Sequence, residues 1–168
     1  MCGNISYVSR NMNDVNEKLS GLKTILHKTQ EYCAYQERCK QDVLNKLYSW
    51  GVDNTRANKI IEVLINDNFI NESRFVSSFI RGKFYHNKWG KIKITYELRL
   101  RKIDETLIQK GINEIPDTEY FAVIKTLIHK KSKEIKEKDK FLKNQKIARY
   151  LIARGFEPNI VFSLLHNK

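Results

Sequence analysis

Three stretches of the chain repeat one pattern, and this internal repeat limits the fold more than any other feature. Aligned on a short turn, they read DVLNKLYSWGVDNTRANKIIEVL, KITYELRLRKIDETLIQKGINEI and KIARYLIARGFEPNIVFSLLHNK. Each contains two apolar residues four positions apart, as on one face of a helix. These pairs are Val43/Leu47, Ile94/Leu98 and Ile147/Leu151. Equivalent positions lie 51 and then 53 residues apart, a period typical of stacked helical units.

The turn inside each stretch has its own regular composition. Gly51, Lys102 and Gly155 occupy the same place, and an apolar residue and then an acid follow each of them. The acids are Asp53, Asp104 and Glu157. An acid at this place suits a helix N-cap or first turn, so a second helix is expected to begin there. Each stretch is therefore predicted to be a helix–turn–helix pair.

A further apolar-periodic segment precedes each pair, at about 24–37, 72–88 and 117–133. We therefore predict an all-α fold made of three tandem three-helix repeats. Their expected bounds are 24–70, 71–115 and 117–167. Because one such unit buries little surface alone, the units are expected to stack into an elongated, curved, solenoid-like molecule. Residues 1–22 stand outside the pattern, as a leader or an extension of the first helix.

One segment contradicts this prediction locally. KIKITYELRLRK, residues 91–102, alternates apolar and polar residues, which by itself is typical of a strand. Its repeat mates do not alternate, and Ile94 and Leu98 keep the four-residue helical spacing. Because the repeat is evidence of longer range, we predict a helix here.

The balance of charge indicates an anionic partner. Lys and Arg number 31 against 19 acids, a formal net charge of +12. Such an excess of positive charge favours association with a polyanion, which can be nucleic acid, an acidic membrane face or an acidic protein groove. The alternative is a soluble basic protein without such a partner. No apolar run has the length of a membrane span, and the start of the chain lacks the apolar core of a signal peptide. These features predict a cytoplasmic location.

Basic and aromatic residues concentrate in RGKFYHNKWGKIK, residues 81–93. On a helical projection of 72–88, Phe75, Phe79 and Phe84 fall on a predicted core side, and a basic stripe that holds one tyrosine falls opposite. Arginine and tyrosine often carry interface energy, and basic groups interleaved with aromatics can grip phosphates and bases. The alternative is a solvated basic face. The candidate contact residues are Arg74, Arg81, Tyr85, Lys88, Lys91 and Lys93, with Arg99 and Arg101 at the edge.

Catalytic, cofactor and metal motifs are not found in the sequence. There is no phosphate-binding loop of the GxxxxGK type, no HExxH and no GxSxG. Cys2, Cys33 and Cys39 form no CxxC pair, and His27 near the last two leaves a zinc set without a fourth ligand. We therefore expect reduced thiols, no metal, no cofactor and no enzymatic activity.

The stretch NESRFVSSFIRGKFYHNKWGKIKITYELRLRKID resembles the central motif of the RecX family, the modulators of the recombinase RecA. The residues that match are Arg74, Phe75, Phe79, Arg81, Gly90, Ile94, Glu97 and Leu98. The resemblance, with the repeats, covers about residues 24–167. Lys102 replaces the glycine that the family usually has, Cys39 stands where serine is common, and Asn71 stands in place of an acid.

The resemblance implies a regulatory protein that is not an enzyme. It implies binding in the groove of the RecA–DNA filament and restraint of strand exchange, ATP hydrolysis and filament growth. It associates the chain with DNA repair by homologous recombination and with the SOS response. The expected partners are the RecA filament and single- or double-stranded DNA, bound weakly and in a salt-sensitive way. A monomer without a membrane partner is expected.

Two other functions remain open from the sequence. One is a stand-alone basic DNA-binding protein built from helix-turn-helix-like units, although no second helix of a unit shows an obvious row of base-reading Asn, Arg and Gln. The other is a helical scaffold for an acidic protein. The three functions differ in the target they need, which is a filament, DNA alone, or neither.

Overall fold

The structure, a computed structural model, describes residues 21–166, and every regular element among them is a helix. This confirms the all-α class, and the alternating segment 91–102 is confirmed as helical over Lys91–Leu100. The elements are α1 (21–35), α2 (Lys40–Ser49), α3 (Asn54–Asn66), α4 (Glu72–Arg81), a π-helical turn (Gly82–His86), α5 (Lys91–Leu100), α6 (Glu105–Asn113), α7 (Asp117–Glu134), α8 (Lys140–Ala153) and α9 (Pro158–His166).

The chain divides into two compact units, with the boundary between Asn71 and Glu72. The described part of the first unit holds α1 to α3, and the second holds α4 to α9. The division into three repeats and the elongated, curved shape stay predictions. The segment 1–22, expected to be a leader or helix extension, lies outside the described residues up to residue 20.

In the first unit, three helices pack around one apolar cluster. Val43 and Leu47 of α2 are fully buried against the inner face of α3, which includes Ile61 and Leu64. Leu22, Ile25 and Leu26 of α1 cover the cluster from the side. The N-cap of α2 is Cys39, whose Sγ accepts a hydrogen bond from the Asp42 N–H at 3.4 Å. Sulfur is a weak acceptor, so this is a weaker cap than serine would make.

The three aligned turns share one backbone conformation. Gly51, Lys102 and Gly155 all have positive φ, at 78°, 56° and 84°. Glycine adopts this left-handed conformation readily and lysine does so at a cost, so Lys102 strains the turn. After the first two turns, the side chains of Asp53 and Asp104 cap α3 and α6 by accepting backbone N–H groups.

Glu157, the third acid of the pattern, has a different partner. Its Oε2 accepts a hydrogen bond from the hydroxyl of the buried Tyr120. The same hydroxyl accepts the backbone N–H of Lys91 at 3.1 Å. The ring of Tyr120 lies between those of Phe84 and Phe156, with centroids 5.7 and 5.6 Å away. Tyr120 therefore joins α5, α7 and the start of α9 in the core of the second unit.

The three phenylalanines predicted as core have different environments. Phe75 and Phe84 are 5% and 0% exposed, as predicted. Phe79 is only partly buried, which corrects its assignment to the core. The centroid of its ring lies 5.6 Å from that of the Phe75 ring. The Lys83 Nζ and the guanidinium carbon of Arg101 lie 5.3 and 5.1 Å from the same Phe79 centroid. Phe79 thus lies at the border between the core and a basic surface.

Candidate functional site

The turn between α4 and α5 is held against the turn that precedes α9. The backbone N–H groups of Gly90 and Ile92 donate to the carbonyls of Arg154 and Gly155, at 2.8 and 3.0 Å. The Arg154 guanidinium returns a bond to the Asn87 carbonyl at 2.8 Å. A Cβ at Gly90 would lie 2.2 Å from the Gly155 carbonyl oxygen, so only glycine permits this approach. This contact fixes the direction of the turn that carries Trp89.

Around this turn, cationic side chains alternate with aromatic rings, and we name this group the cation–aromatic cluster. The Nζ atoms of Lys83 and Lys93 lie 4.8 and 4.4 Å from the centroid of the Trp89 ring. Lys83 also contacts the Phe79 ring, which Arg101 contacts in turn. Cations over aromatic faces are stabilised by the ring quadrupole, so these side chains are held in place. The described contacts of Lys83 and Lys93 include no carboxylate. The cluster consists of Phe79, Lys83, Trp89, Lys93 and Arg101.

Four of the predicted contact residues are engaged by acids of their own chain, and two of the four contact acids of α7. The Tyr85 hydroxyl donates to Glu119 at 2.8 Å, and this hydrogen bond raises the pKa of Tyr85. Lys91 lies 3.3 Å from Asp117 and over the ring of Tyr120. These pairs tie the start of α7 to the α4–α5 region, which reduces the charge that Lys91 offers to a partner.

Arg99 makes the best-formed ion pair of the surface. Its Nε and Nη2 donate to the two carboxylate oxygens of Glu105, at 2.9 and 2.7 Å. These bonds, with one from Gln109, hold the pKa of Glu105 at about 2, although the side chain is at the surface. Arg101 is paired in a similar way with Glu97, at 2.8 Å one helical turn away. A partner that uses Arg99 must therefore compete with Glu105.

Arg81 and Lys88 complete the surface near the π-helical turn. Arg74 is exposed in the first turn of α4. Lys88 ends the turn with a φ of 56°. Arg81 stands at the rim of a groove of about 570 Å³ between α4 and α6, beside Tyr85 and His86. The floor of this groove is apolar, with Ile80 and Ile115. The contact role of all eight predicted residues stays a prediction.

Sequence reasoning missed two members of the cluster and misplaced a third. Lys83 was not among the candidates, although it follows Phe79 by four residues, a spacing that brings two helical side chains together. Trp89 was not among the candidates either, and both Lys83 and Lys93 contact its ring. Phe79 was assigned to the core. The close spacing of Lys83, Trp89 and Lys93 in the sequence was the signal from which the cluster could have been predicted.

The thiols and acids of the described residues give no sign of reactive or metal chemistry. Cys33 and Cys39 are free and buried, and burial raises the pKa of these thiols to about 11 and about 12. Nucleophilic and metal-binding cysteines need the thiolate, which this environment disfavours. Over residues 21–166, no group of His, Cys, Asp and Glu is arranged to hold a metal ion. In the same range, no helix combines the length and apolar character that crossing a bilayer requires.

Comparison with known proteins identifies the family. Residues 71–112 match the model of the second three-helix domain of RecX, and residues 117–165 match the model of the third. Together these matches cover more than half of the chain. The chain belongs to the RecX family. The resemblance inferred from the sequence motif is therefore confirmed.

Curated relatives carry the name "Regulatory protein RecX". The protein of Streptococcus uberis is 28% identical over 131 residues, which are 77% of this chain and 50% of the relative. That of Clostridium tetani is also 28% identical over 131 residues and is covered over 60% of its length. The Clostridioides difficile protein is 24% identical over 163 residues, 92% of this chain and 76% of its own. The chain spans about half the length of several relatives that it matches.

Two solved structures have the same fold. A crystal structure of regulatory protein RecX superposes with a TM-score of 0.78 at 19% identity, over 88% of this chain and 72% of its own. The crystal structure of RecX from Lactobacillus salivarius gives 0.77 at 21% identity, over 89% of this chain and 97% of its own. These structures confirm the all-α helical repeat architecture.

Proposed function

We propose that this protein binds the RecA–DNA filament and restrains the recombinase, limiting strand exchange, ATP hydrolysis and filament growth. Membership of the RecX family is the observation that carries the proposal. The formal net charge of +12 supports it, because DNA within a filament is a polyanion. In this proposal the protein acts as a non-enzymatic monomer in the cytoplasm, and its three-helix repeats contact the filament.

The cation–aromatic cluster is the proposed centre of the contact surface. Its two lysines are held by the Trp89 ring and not by a carboxylate in the described contacts, so binding an anion need not break an ion pair there. Arg81 and Lys88 extend this surface across the π-helical turn. Tyr85, Lys91 and Arg99 contribute at its edge, after exchange of their present acidic partners.

A second candidate function is that of a stand-alone DNA-binding protein. The same cluster favours it, because lysines next to an indole ring can bind phosphates while the ring stacks on a base. This function needs no recombinase. It predicts equal binding to naked DNA and to filaments, with affinity that falls steeply as salt is raised.

Binding to three targets separates the two functions. The purified protein is titrated against single-stranded DNA, RecA alone and ATP-loaded RecA–DNA filaments, each at two salt concentrations. The proposal predicts clearly tighter binding to filaments at both concentrations. Equal binding to bare DNA that collapses with salt would instead support the stand-alone function.

Charge reversal tests the surface within the same assay. Lys83→Glu with Lys93→Glu is expected to weaken filament binding at least tenfold, because two cations become anions near the phosphates. The matched control is Lys125→Glu with Lys130→Glu, which reverses two exposed lysines on α7. Equal loss in both variants would mean that net charge alone, and not this surface, determines binding.

A further inference from the structure

Helix α5 has a second apolar face that points away from the core. Ile92, Tyr96 and Leu100 are 51%, 59% and 57% exposed, while Ile94 and Leu98 on the inner face are fully buried. The three exposed residues follow each other at intervals of four, so they form one row along the helix. At 1.5 Å per residue, the row is about 12 Å long. It will be called the outer row.

The repeat provides an internal comparison for this row. The positions of α2 that align with the outer row hold Gln41, Asn45 and Ser49, and those of α8 hold Gln145, Arg149 and Ala153. The inner positions of the same three helices, by contrast, are apolar and buried throughout. The core therefore requires the inner face in every repeat. At the aligned outer positions only the middle repeat has three large apolar side chains, although α8 exposes Phe141, Leu142 and Ile152 at other positions.

The outer row also explains the strand-like alternation of residues 91–102. Apolar residues at every second position place one set on the inner face of α5 and the other on the outer face. The exposed part of these side chains does not stabilise the unit, and apolar area in a row is typical of a surface that another protein covers. We therefore expect another molecule to cover the outer row.

The charges beside the row indicate what this occupant is. On a helical projection, Lys93 flanks the row on one side and Arg99 on the other. The one acid within α5, Glu97, is paired with Arg101. A second copy of this chain would bring cations against cations, which opposes self-association through this face. Nucleic acid gains little from Ile92 and Leu100, which offer neither hydrogen bonds nor a stacking surface.

We propose that the outer row of α5 docks on a protein surface that has an apolar centre and an acidic rim. Tyr96 is the central anchor, with Ile92 and Leu100 filling apolar positions at either side. Arg99 contacts the acidic rim, and Lys93 lies at the border between the row and the cation–aromatic cluster. For the identity of the partner the inference rests on the proposed function, in which the protein component of the filament presents this surface. The outer row then contacts protein, while the neighbouring cation–aromatic cluster contacts the anionic component.

The test transfers the outer face of α2 to α5. The variant Ile92→Gln, Tyr96→Asn, Leu100→Ser carries the residues found at the aligned positions Gln41, Asn45 and Ser49. The matched control, Val63→Gln with Ile65→Ser, removes two exposed apolar side chains from α3. Binding of each protein to ATP-loaded RecA–DNA filaments and to naked single-stranded DNA is measured at low and high salt.

We expect the triple variant to bind filaments at least tenfold more weakly than the parent, by a similar factor at both salt concentrations. Its binding to naked DNA and the filament binding of the control are expected to be unchanged. If the parent binds filaments and the triple variant binds them equally well, the inference is wrong and the proposed function stands. If the parent itself does not bind filaments, both are overturned. Equal loss of naked DNA binding would identify nucleic acid as the occupant and also overturn the inference.

Folding and self-association are checked on the same samples. Because all three side chains are exposed, the helicity and melting temperature are expected to match those of the parent. Should the triple variant fold poorly, Tyr96→Asn alone decides, with an expected loss of filament binding of at least threefold. A parent that dimerises in sedimentation equilibrium, and a triple variant that does not, would make a second copy the occupant and contradict the proposal.

Discussion

At the scale of single residues, one turn conformation recurs with different side chains. Gly51, Lys102 and Gly155 share a left-handed backbone, and this could be predicted from the alignment of the repeats. The exchange of partners at Glu157 could not be predicted, because the Tyr120 hydroxyl that it binds lies 37 residues earlier in the chain. Local pattern predicts local conformation, whereas a buried hydrogen bond depends on the packing of distant segments.

Replacing Lys102 with glycine is expected to stabilise the second unit. Lysine at a φ of 56° costs about 1–2 kcal/mol, part of which glycine gives back through its larger entropy in the unfolded chain. The expected gain in the free energy of unfolding is up to about 1 kcal/mol, measured by urea unfolding. Gly51→Ala is the opposite control, since it places a Cβ at a φ of 78° and is expected to destabilise. A loss of stability in Lys102→Gly would show that the lysine side chain has an unrecognised stabilising contact.

The buried thiols make stability depend on alkaline pH. Burial raises the pKa of Cys33 to about 11 and of Cys39 to about 12, from 9.0. The folded protein therefore keeps thiol protons that the unfolded chain loses, so this contribution is complete below about pH 9 and is lost as pH rises towards 12. Between pH 8 and pH 10.5, the expected loss is on the order of 1 kcal/mol per thiol.

Urea unfolding at these two pH values measures the effect in a Cys2→Ser background. The control adds Cys33→Ala and Cys39→Ser, in which the thiol part of the pH dependence is expected to disappear. Identical pH dependence with and without the two thiols would contradict the assigned burial.

At the scale of helices, periodicity predicted where each element lies, and contacts between helices decided what the surface offers. The first helix of the second set was expected over 72–88, and the structure has α4 followed by a π-helical turn that ends at His86. The wider turn changes the direction of Tyr85 and His86 relative to a regular helix, so a projection at 100° per residue no longer holds there. The acids Asp117 and Glu119, supplied by α7, could not be inferred from the spacing of residues on α4 and α5.

The ion pair that joins α5 to α6 is expected to restrain binding by Arg99. Glu105→Gln removes one carboxylate and releases the guanidinium, so filament binding is expected to strengthen roughly two- to fivefold at low salt. The matched control is Glu134→Gln, which changes the net charge equally and releases Lys131 on α7. If both variants gain equally, net charge explains the effect and Arg99 is not a contact residue.

At the scale of the whole molecule, composition predicted an anionic partner, and the repeat predicted the fold class. The solved relatives confirm the fold class. The charged residues are not equivalent, however, because some are paired with acids and others lie against aromatic rings. Composition counts both kinds alike. Only the folded arrangement distinguishes Lys83 and Lys93, which contact Trp89, from Arg99, which contacts Glu105.

The salt dependence of DNA binding is expected to report this distinction. Lys83→Gln and Lys93→Gln should each lower the slope of log affinity against log salt by about 1, because each removes one phosphate contact. Lys125→Gln, on the exposed side of α7, serves as the control and should leave the slope unchanged. Slopes that fall equally in all three variants would indicate diffuse attraction without a defined surface.

Recombinase ATP hydrolysis on single-stranded DNA tests the central claim most directly. The protein is added in increasing amounts to preformed RecA filaments, and hydrolysis is followed with and without a large excess of naked DNA. Binding to the filament predicts a saturable fall in hydrolysis that persists when naked DNA is in excess. Hydrolysis that stays unchanged at saturating protein, or that excess DNA restores fully, would contradict regulation through the filament.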